Sequence, residues 1–119
     1  AGPTRTVTLA VNGGVPLGEG IYRLYVCGSA AIIDLVGLPL DGDANGTPGG
    51  DYILVGNPAT NKLFRLFGDA DGSGQVTSTD LLAFRLAFLS SNPAFDFDGN
   101  GTVDSGDFLA FRLRFLQSV

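Results

Sequence analysis

Hydrophobic positions change their spacing halfway along the chain. In TVTLAV (residues 6–11) every second residue is apolar, with Val7, Leu9 and Val11 on one side. IYRLYVC (residues 21–27) repeats the alternation with Tyr22, Leu24 and Val26. A period of two puts alternate side chains on one face of an extended strand. YILV (residues 52–55) is a third such run, so residues 1–60 predict three strands joined by the turn-forming stretches NGGVPLGEG and LPLDGDANGTPGGD. Residues 57–61, NPATN, read as a hinge, and KLFRLF (residues 62–67) as an extended or turn-like lead. Beyond it, LLAFRLAFL (81–89) and FLAFRLRFL (108–116) are rich in Leu, Phe, Ala and Arg and hold no Gly or Pro. They predict two helices, each following an aspartate, Asp80 or Asp107, suited to an N-cap. The fold class is mixed: a three-stranded β region over residues 1–60, then a paired loop-helix unit over 61–119.

The second half is written twice. DADGSGQVTSTDLLAFRLAFL begins at Asp69 and DFDGNGTVDSGDFLAFRLRFL at Asp96, with 14 of 21 positions identical. Two short copies are too few for a solenoid, so they predict one pseudo-twofold unit.

Each copy opens with an acidic loop whose spacing is that of a hard-cation site. Calcium takes six to eight oxygens at roughly 2.3–2.6 Å, and a 12-residue loop supplies them from positions 1, 3, 5, 7, 9 and 12, with glycine at 6 for the bend. In the first copy these places hold Asp69, Asp71, Ser73, Gln75 (through its backbone carbonyl), Thr77 and Asp80, with Gly74 at the bend. In the second they hold Asp96, Asp98, Asn100, Thr102, Asp104 and Asp107, with Gly101 at the bend. Val76 and Val103, at position 8, are expected back to back as a β-bridge tying the loops together. Two calcium ions are the expected cofactors. Magnesium, which demands near-octahedral geometry and keeps its waters, is the other ion the donors admit. The second loop carries four carboxylates to the first loop's three, so it is expected to bind more tightly. A third acidic stretch, with Asp41, Asp43 and Asn45 at the first three ligand positions, has Tyr52 where a closing ligand belongs. Asp51 stands one place earlier, so this stretch reads either as a third metal site or as an ordinary Asp/Asn/Gly turn. Asn-Gly-Thr at Asn45 and Asn100 matches a glycosylation acceptor and is read as coincidence within metal-loop chemistry.

Composition supports this reading and narrows the rest. Net charge is −5, and 11 of the 12 acidic residues are aspartate, with Glu19 the exception. Seven of those aspartates fall in the two copies, and two dications would bring the formal charge to −1. The absence of histidine excludes Cys/His zinc sites and histidine catalysis, and the single Cys27, in a strand pattern, reads as a buried small hydrophobe. The seven Lys/Arg are scattered, which argues against nucleic acid, and no apolar run is long enough for a membrane span. No phosphate loop is present either, so an enzyme is the least expected class. AGPTRTVTLA shows no signal peptide, and the chain is expected to be a mature piece of something longer.

Two resemblances add to this. GEGIYRLYVCGSAAIIDLVGLPLDGDANGTPGGDYILV, about residues 17 to 55, resembles the last strands of bacterial Ig-like domains of secreted and surface-layer proteins. The duplicated loop and single helix, joined by SSNPAF (residues 90–95), leaves no room for the entering helix of a full EF-hand. It resembles the type I dockerin family over about residues 68 to 117. That resemblance implies a non-catalytic, calcium-dependent module that binds cohesin domains and attaches extracellular proteins to scaffolds or cell surfaces. It also implies recognition residues at Ser78, Thr79 and Arg85 in the first copy and at Ser105, Gly106 and Arg112 in the second. Leu86 and Leu113 replace the second member of a frequent basic pair, and the interval between the loops is shorter than usual.

The helices suggest binding independently, because both are apolar nearly all round. One explanation is internal: Phe84, Phe88, Phe111 and Phe115 form the core and the leucines pack on the β half. The other is an external partner, and the two are compatible. Arg85 and Arg112 read equally as recognition residues or as solvated charges. The leading function is thus a calcium-dependent docking module at the C-terminus of a larger secreted or surface protein, with a cohesin-like partner. The rival is a calcium-stabilised cap whose only partner is the adjacent Ig-like domain.

Overall fold

The computed structural model describes residues 8–14, 16–28 and 32–119. Four short strands precede two helices: β1 (Gly20–Ile21), β2 (Arg23–Val26), β3 (Tyr52–Val55), β4 (Phe64–Arg65), α1 (Ser78–Ala87) and α2 (Ser105–Arg114). Part of the first expected strand, residues 6 and 7, lies outside the described residues, and residues 8–11 form no strand. The second expected strand is divided between two partners. β1 pairs antiparallel with β4, and β2 pairs antiparallel with β3 in the register Arg23 to Val55 and Val26 to Tyr52. Tyr22 is the crossing point: its N–H donates to the Leu63 carbonyl at 3.0 Å and its carbonyl accepts from Gly56 at 2.8 Å. The alternation holds, with Tyr22, Leu24 and Val26 half-buried and Ile21, Arg23 and Tyr25 exposed. Cys27 is exposed rather than buried, standing one residue past the end of β2 at Val26.

The expected hinge is a tightly bonded turn. The Asn57 side chain accepts from Ala59 and Thr60, and the Asn61 side chain accepts from Asn57 at 2.9 Å and donates to the Val55 carbonyl at 2.9 Å. Such Asx bonding fixes the chain locally in place of a ladder.

Both helices start three residues before the expected position. Thr77 and Asp104 are the N-caps, and Asp80 and Asp107 sit at N3, where each carboxylate accepts from the cap residue's own N–H. These are capping boxes with aspartate in the place more often held by Glu or Gln. The helices end at Ala87 and Arg114, and the next residues but one, Leu89 and Leu116, are left-handed at φ 65° and 66°.

The buried hydrophobic residues are Phe67, Val76, Phe84, Ala87, Phe95, Val103, Ala110 and Phe111, all from the second half. The Phe84 ring lies 5.1 Å from Phe111 and 5.3 Å from Phe95. Phe88 and Phe115 border this core rather than fill it, since each stands at a helix C-cap and remains exposed on one side. The leucines do not pack on the β half: Leu82, Leu86, Leu109 and Leu113 are all exposed.

Besides the β1–β4 pairing, the two halves meet at Glu19. Its carboxylate accepts from Arg114 Nε at 2.5 Å and Nη2 at 2.9 Å, and also from the Phe67 N–H at 2.8 Å. The guanidinium lies 4.4 Å from the Phe97 ring centroid and 5.5 Å from that of Phe67. Arg114 holds the Glu19 carboxyl below its ordinary value. A depressed carboxylate stabilises the fold at neutral pH, and that contribution fades as pH falls below the unfolded value towards the folded one. Glu19→Gln is therefore expected to cost about 1 kcal/mol at neutral pH, a figure discounted for solvent screening. The difference from the parent protein should shrink below about pH 4.5, near the unfolded carboxylate value. Paired thermal melts across that range check it.

Candidate metal centres and docking face

Each acidic loop folds around its first aspartate. Asp69 accepts from Ser73 at 3.0 Å and Gly74 at 2.8 Å, and Asp96 accepts from Gly99 at 2.8 Å, Asn100 at 3.1 Å and Gly101 at 2.9 Å. Asp71 and Asp98 accept from the N–H groups of Ser73 and Asn100. The bends require φ 86° at Gly74 and 92° at Gly101, which a side chain resists. The helix-borne aspartates close the loops from behind. Asp80 accepts from Ala70 and from the N–H and hydroxyl of Thr77, and Asp107 accepts from Phe97 and Asp104. In this way Asp69, Asp71 and Asp80 converge to within 4.8 Å of one another, and so do Asp96, Asp98 and Asp107.

The remaining loop residues take other places. Ser73 donates its hydroxyl to the Gln75 carbonyl at 3.1 Å. Asn100 stands between Asp98 and Asp104, and its side-chain oxygen accepts from the Thr102 N–H. Thr77 and Asp104 turn to their helices, accepting from Thr79 and Gly106 respectively.

This donor set fits a hard dication. All the gathered groups are carboxylate oxygens, and Asp80 and Asp107 are each only 1 % exposed. Their hydrogen-bond donors are backbone N–H groups and a hydroxyl, with no cation among them. Burial pushes the Asp69 carboxyl above its ordinary value, with Asp80 adding repulsion. Converging like charges, one of each set buried, are costly unless a positive charge joins them.

The third acidic stretch is built differently. Asp41 accepts from Asn45 at 3.1 Å and Gly46 at 2.8 Å, and Asp43 accepts from Asn45. Asp51 is engaged elsewhere, accepting from Gly28 at 2.9 Å and from the Tyr25 hydroxyl. The turn at residues 41–46 copies the metal loops, but its closing carboxylate belongs to the β2–β3 hairpin.

Val76 and Val103 do not pair with each other. Val76 donates to Gln117 at 3.0 Å and accepts from Leu116 at 2.8 Å, while Val103 donates to Ser90 and accepts from Leu89, both at 2.8 Å. Each loop is bonded to the segment leaving the other repeat's helix. The left-handed leucines, which turn the chain back at those points, are the reason.

On the helices, Ser78, Thr79, Arg85 and Leu86 are all exposed, and so are Ser105, Gly106, Arg112 and Leu113. Leu86 is 81 % and Leu113 74 % exposed. Among the described residues neither Arg85 nor Arg112 has an ion-pair partner. Two shallow apolar grooves lie beside them. One of about 310 Å³ is lined by Phe84, Arg85, Phe88 and Phe108, and its pseudo-twofold twin of about 190 Å³ by Leu81, Phe108, Phe111, Arg112 and Phe115. Reasoning from sequence missed the contact of Glu19 with Arg114. The available signal was the one buried alanine of the first helix, Ala87, becoming arginine in the second.

No helix among the described residues is long and apolar enough to cross a membrane. No curated protein and no solved structure matches the chain. The family model of the dockerin type I domain matches residues 67–116. That span takes in both acidic loops, both helices and Phe67, where the buried core begins. Residues 67–116 are therefore a type I dockerin domain, a non-catalytic interaction module of the kind that binds cohesins in a calcium-dependent way.

Proposed function

We propose that this chain is the docking end of a larger extracellular protein, held to a cohesin-like partner through the exposed faces of α1 and α2. Two calcium ions are held, one per loop. Asp69, Asp71, Ser73, the Gln75 carbonyl, Thr77 and Asp80 serve the first, and Asp96, Asp98, Asn100, the Thr102 carbonyl, Asp104 and Asp107 the second. The cation supplies the positive charge that lets each set of carboxylates close behind its helix. The turn at residues 41–46 holds none, because Asp51 is committed to Tyr25 and Gly28.

The observation that carries the docking reading is the helix surface. Leu82, Leu86, Leu109 and Leu113 lie open to solvent beside two arginines that have no ion-pair partner among the described residues, on an otherwise acidic chain. A partner that fits offers an apolar platform with carboxylates at its rim, opposite Arg85 and Arg112. A purely structural cap would bury those leucines on the strands. The β region, with apolar side chains such as Ile53 and Val55 exposed, is read as the closing part of an Ig-like domain.

Pull-down with the full chain as bait, against secreted and surface proteins of the source cell and against purified cohesins, tests the reading in calcium and in EDTA. A partner retained in calcium alone supports it. If nothing is retained while calcium still folds the helices, the capping role stands instead. The extra carboxylate of the second loop is tested by Asp104→Asn. Asparagine caps a helix as well as aspartate does, so the helix is kept while one negative charge is lost. Calorimetry is expected to show calcium affinity at that loop reduced severalfold, and an unchanged affinity would remove Asp104 from the ligand set.

A further inference from the structure

We infer that the two metal loops are coupled through exchanged backbone bonds, so that filling either loop raises the affinity of the other. The inference rests on the reading of both loops as calcium sites. In each loop the residue between ligand positions 7 and 9 is the one held from outside. Val76 stands between Gln75 and Thr77, and its N–H and carbonyl bond to Gln117 and Leu116 beyond α2. Val103 stands between Thr102 and Asp104 and bonds in the same way to Ser90 and Leu89 beyond α1. Both valines are fully buried.

The path between the sites is short and rigid. Asp107 fixes the first turn of α2 by accepting from Asp104 at 2.8 Å, α2 delivers Leu116 and Gln117, and these position Val76 beside the cap residue that bonds Asp80. The reverse path runs from Asp80 through α1 to Leu89, Ser90 and Val103. Leu89 and Leu116 are left-handed non-glycine residues at twin places. Such strain persists where the surroundings over-determine it, and here it aims each leucine N–H at the opposite loop. The first loop has a further tie, since Val119 donates to the Gly74 carbonyl at 3.1 Å and Gln75 bridges Ser118.

The test is a calcium titration of the full ¹⁵N-labelled chain by NMR, following the amides of Gly74 and Gly101. Each donates to its own loop's first aspartate and so reports its own site. Asp98→Asn weakens the second loop directly. Coupling of ordinary size moves the Gly74 midpoint to about tenfold higher calcium as well, whereas a Gly74 midpoint within twofold of the parent's overturns the inference. Deletion of residues 117–119 removes no side-chain ligand from either loop, and it too is expected to raise the Gly74 midpoint about tenfold. An unmoved Gly74 in that variant overturns the inference independently. If neither glycine of the parent protein responds to calcium, the reading of the loops as metal sites falls and the coupling with it. If Asp98→Asn moves only Gly101, the metal reading stands and the coupling alone is lost.

Discussion

Phe84→Ala is expected to cost about 4 kcal/mol in calcium, within the range for deleting a buried phenylalanine. The ring is 1 % exposed and meets those of Phe88, Phe95, Phe108 and Phe111 at centroid distances of 5.1 to 6.3 Å. Phe95 comes from the connector and Phe108 and Phe111 from the other repeat, so this one side chain joins three parts of the module. Among the described residues the buried apolar set around it has eight members. A domain of this size has a typical net stability of about 3–8 kcal/mol, and the variant should lose most of it. Phe88→Ala is the control: its ring lies at the border of the same cluster, 44 % exposed, and about 1 kcal/mol is expected. Urea unfolding followed by helical circular dichroism at saturating calcium measures both. A loss below about 2 kcal/mol for Phe84→Ala would mean that stability resides outside this aromatic cluster, contrary to the burial pattern.

The parts of this fold that could be read from sequence are those set by local chemistry. The loops were legible because the cation's demands fix residue type and spacing together, and the aspartates at positions 1, 3 and 12 of each loop do converge. Helix existence was legible from composition, but helix starts were not. Asp80 and Asp107 looked like N-caps, yet each serves from N3, because Thr77 and Asp104 are also good caps and lie one turn earlier. What sequence could not give was pairing at a distance. Val76 and Val103 invited a symmetric bridge, and nothing local announces that Leu89 and Leu116 adopt left-handed backbone and carry their amides to the opposite loops. The division of the strand at Tyr22 is of the same kind, since Leu63 and Gly56 compete for that residue's backbone from two different segments. Phe67 and Phe95 were missed as core residues because they precede the loops, outside any helical period, and pack on rings distant in sequence, Phe67 on Phe97 and Phe95 on Phe84.

Partner binding should survive the loss of Leu86 or Leu113 alone and fail when both are lost. Each leucine stands beside an arginine, Arg85 or Arg112, that has no ion-pair partner among the described residues, near one of two grooves that match under the pseudo-twofold. On the proposed docking reading, a partner over α1, or turned by half a rotation over α2, meets Arg and Leu in the same order, so either repeat is expected to supply a face. Leu86→Gln and Leu113→Gln keep good helix formers at exposed positions and should each alter stability by less than about 0.5 kcal/mol. An exposed leucine that becomes a central anchor in the complex is worth about 2–3 kcal/mol, roughly 30- to 150-fold in affinity. Single variants are thus expected within about twofold of the parent protein, since the loss of one of two equivalent modes halves the statistical weight. The double variant should bind about 30-fold more weakly or worse. Calorimetry with the partner captured in calcium measures all three. The twin grooves differ in volume, about 310 against 190 Å³, and Phe108 lines both whereas Leu81 lines the smaller. Should one single variant reproduce the full loss, that difference would be the cause: the partner would occupy one groove, and the duplication would serve folding rather than a second way of docking.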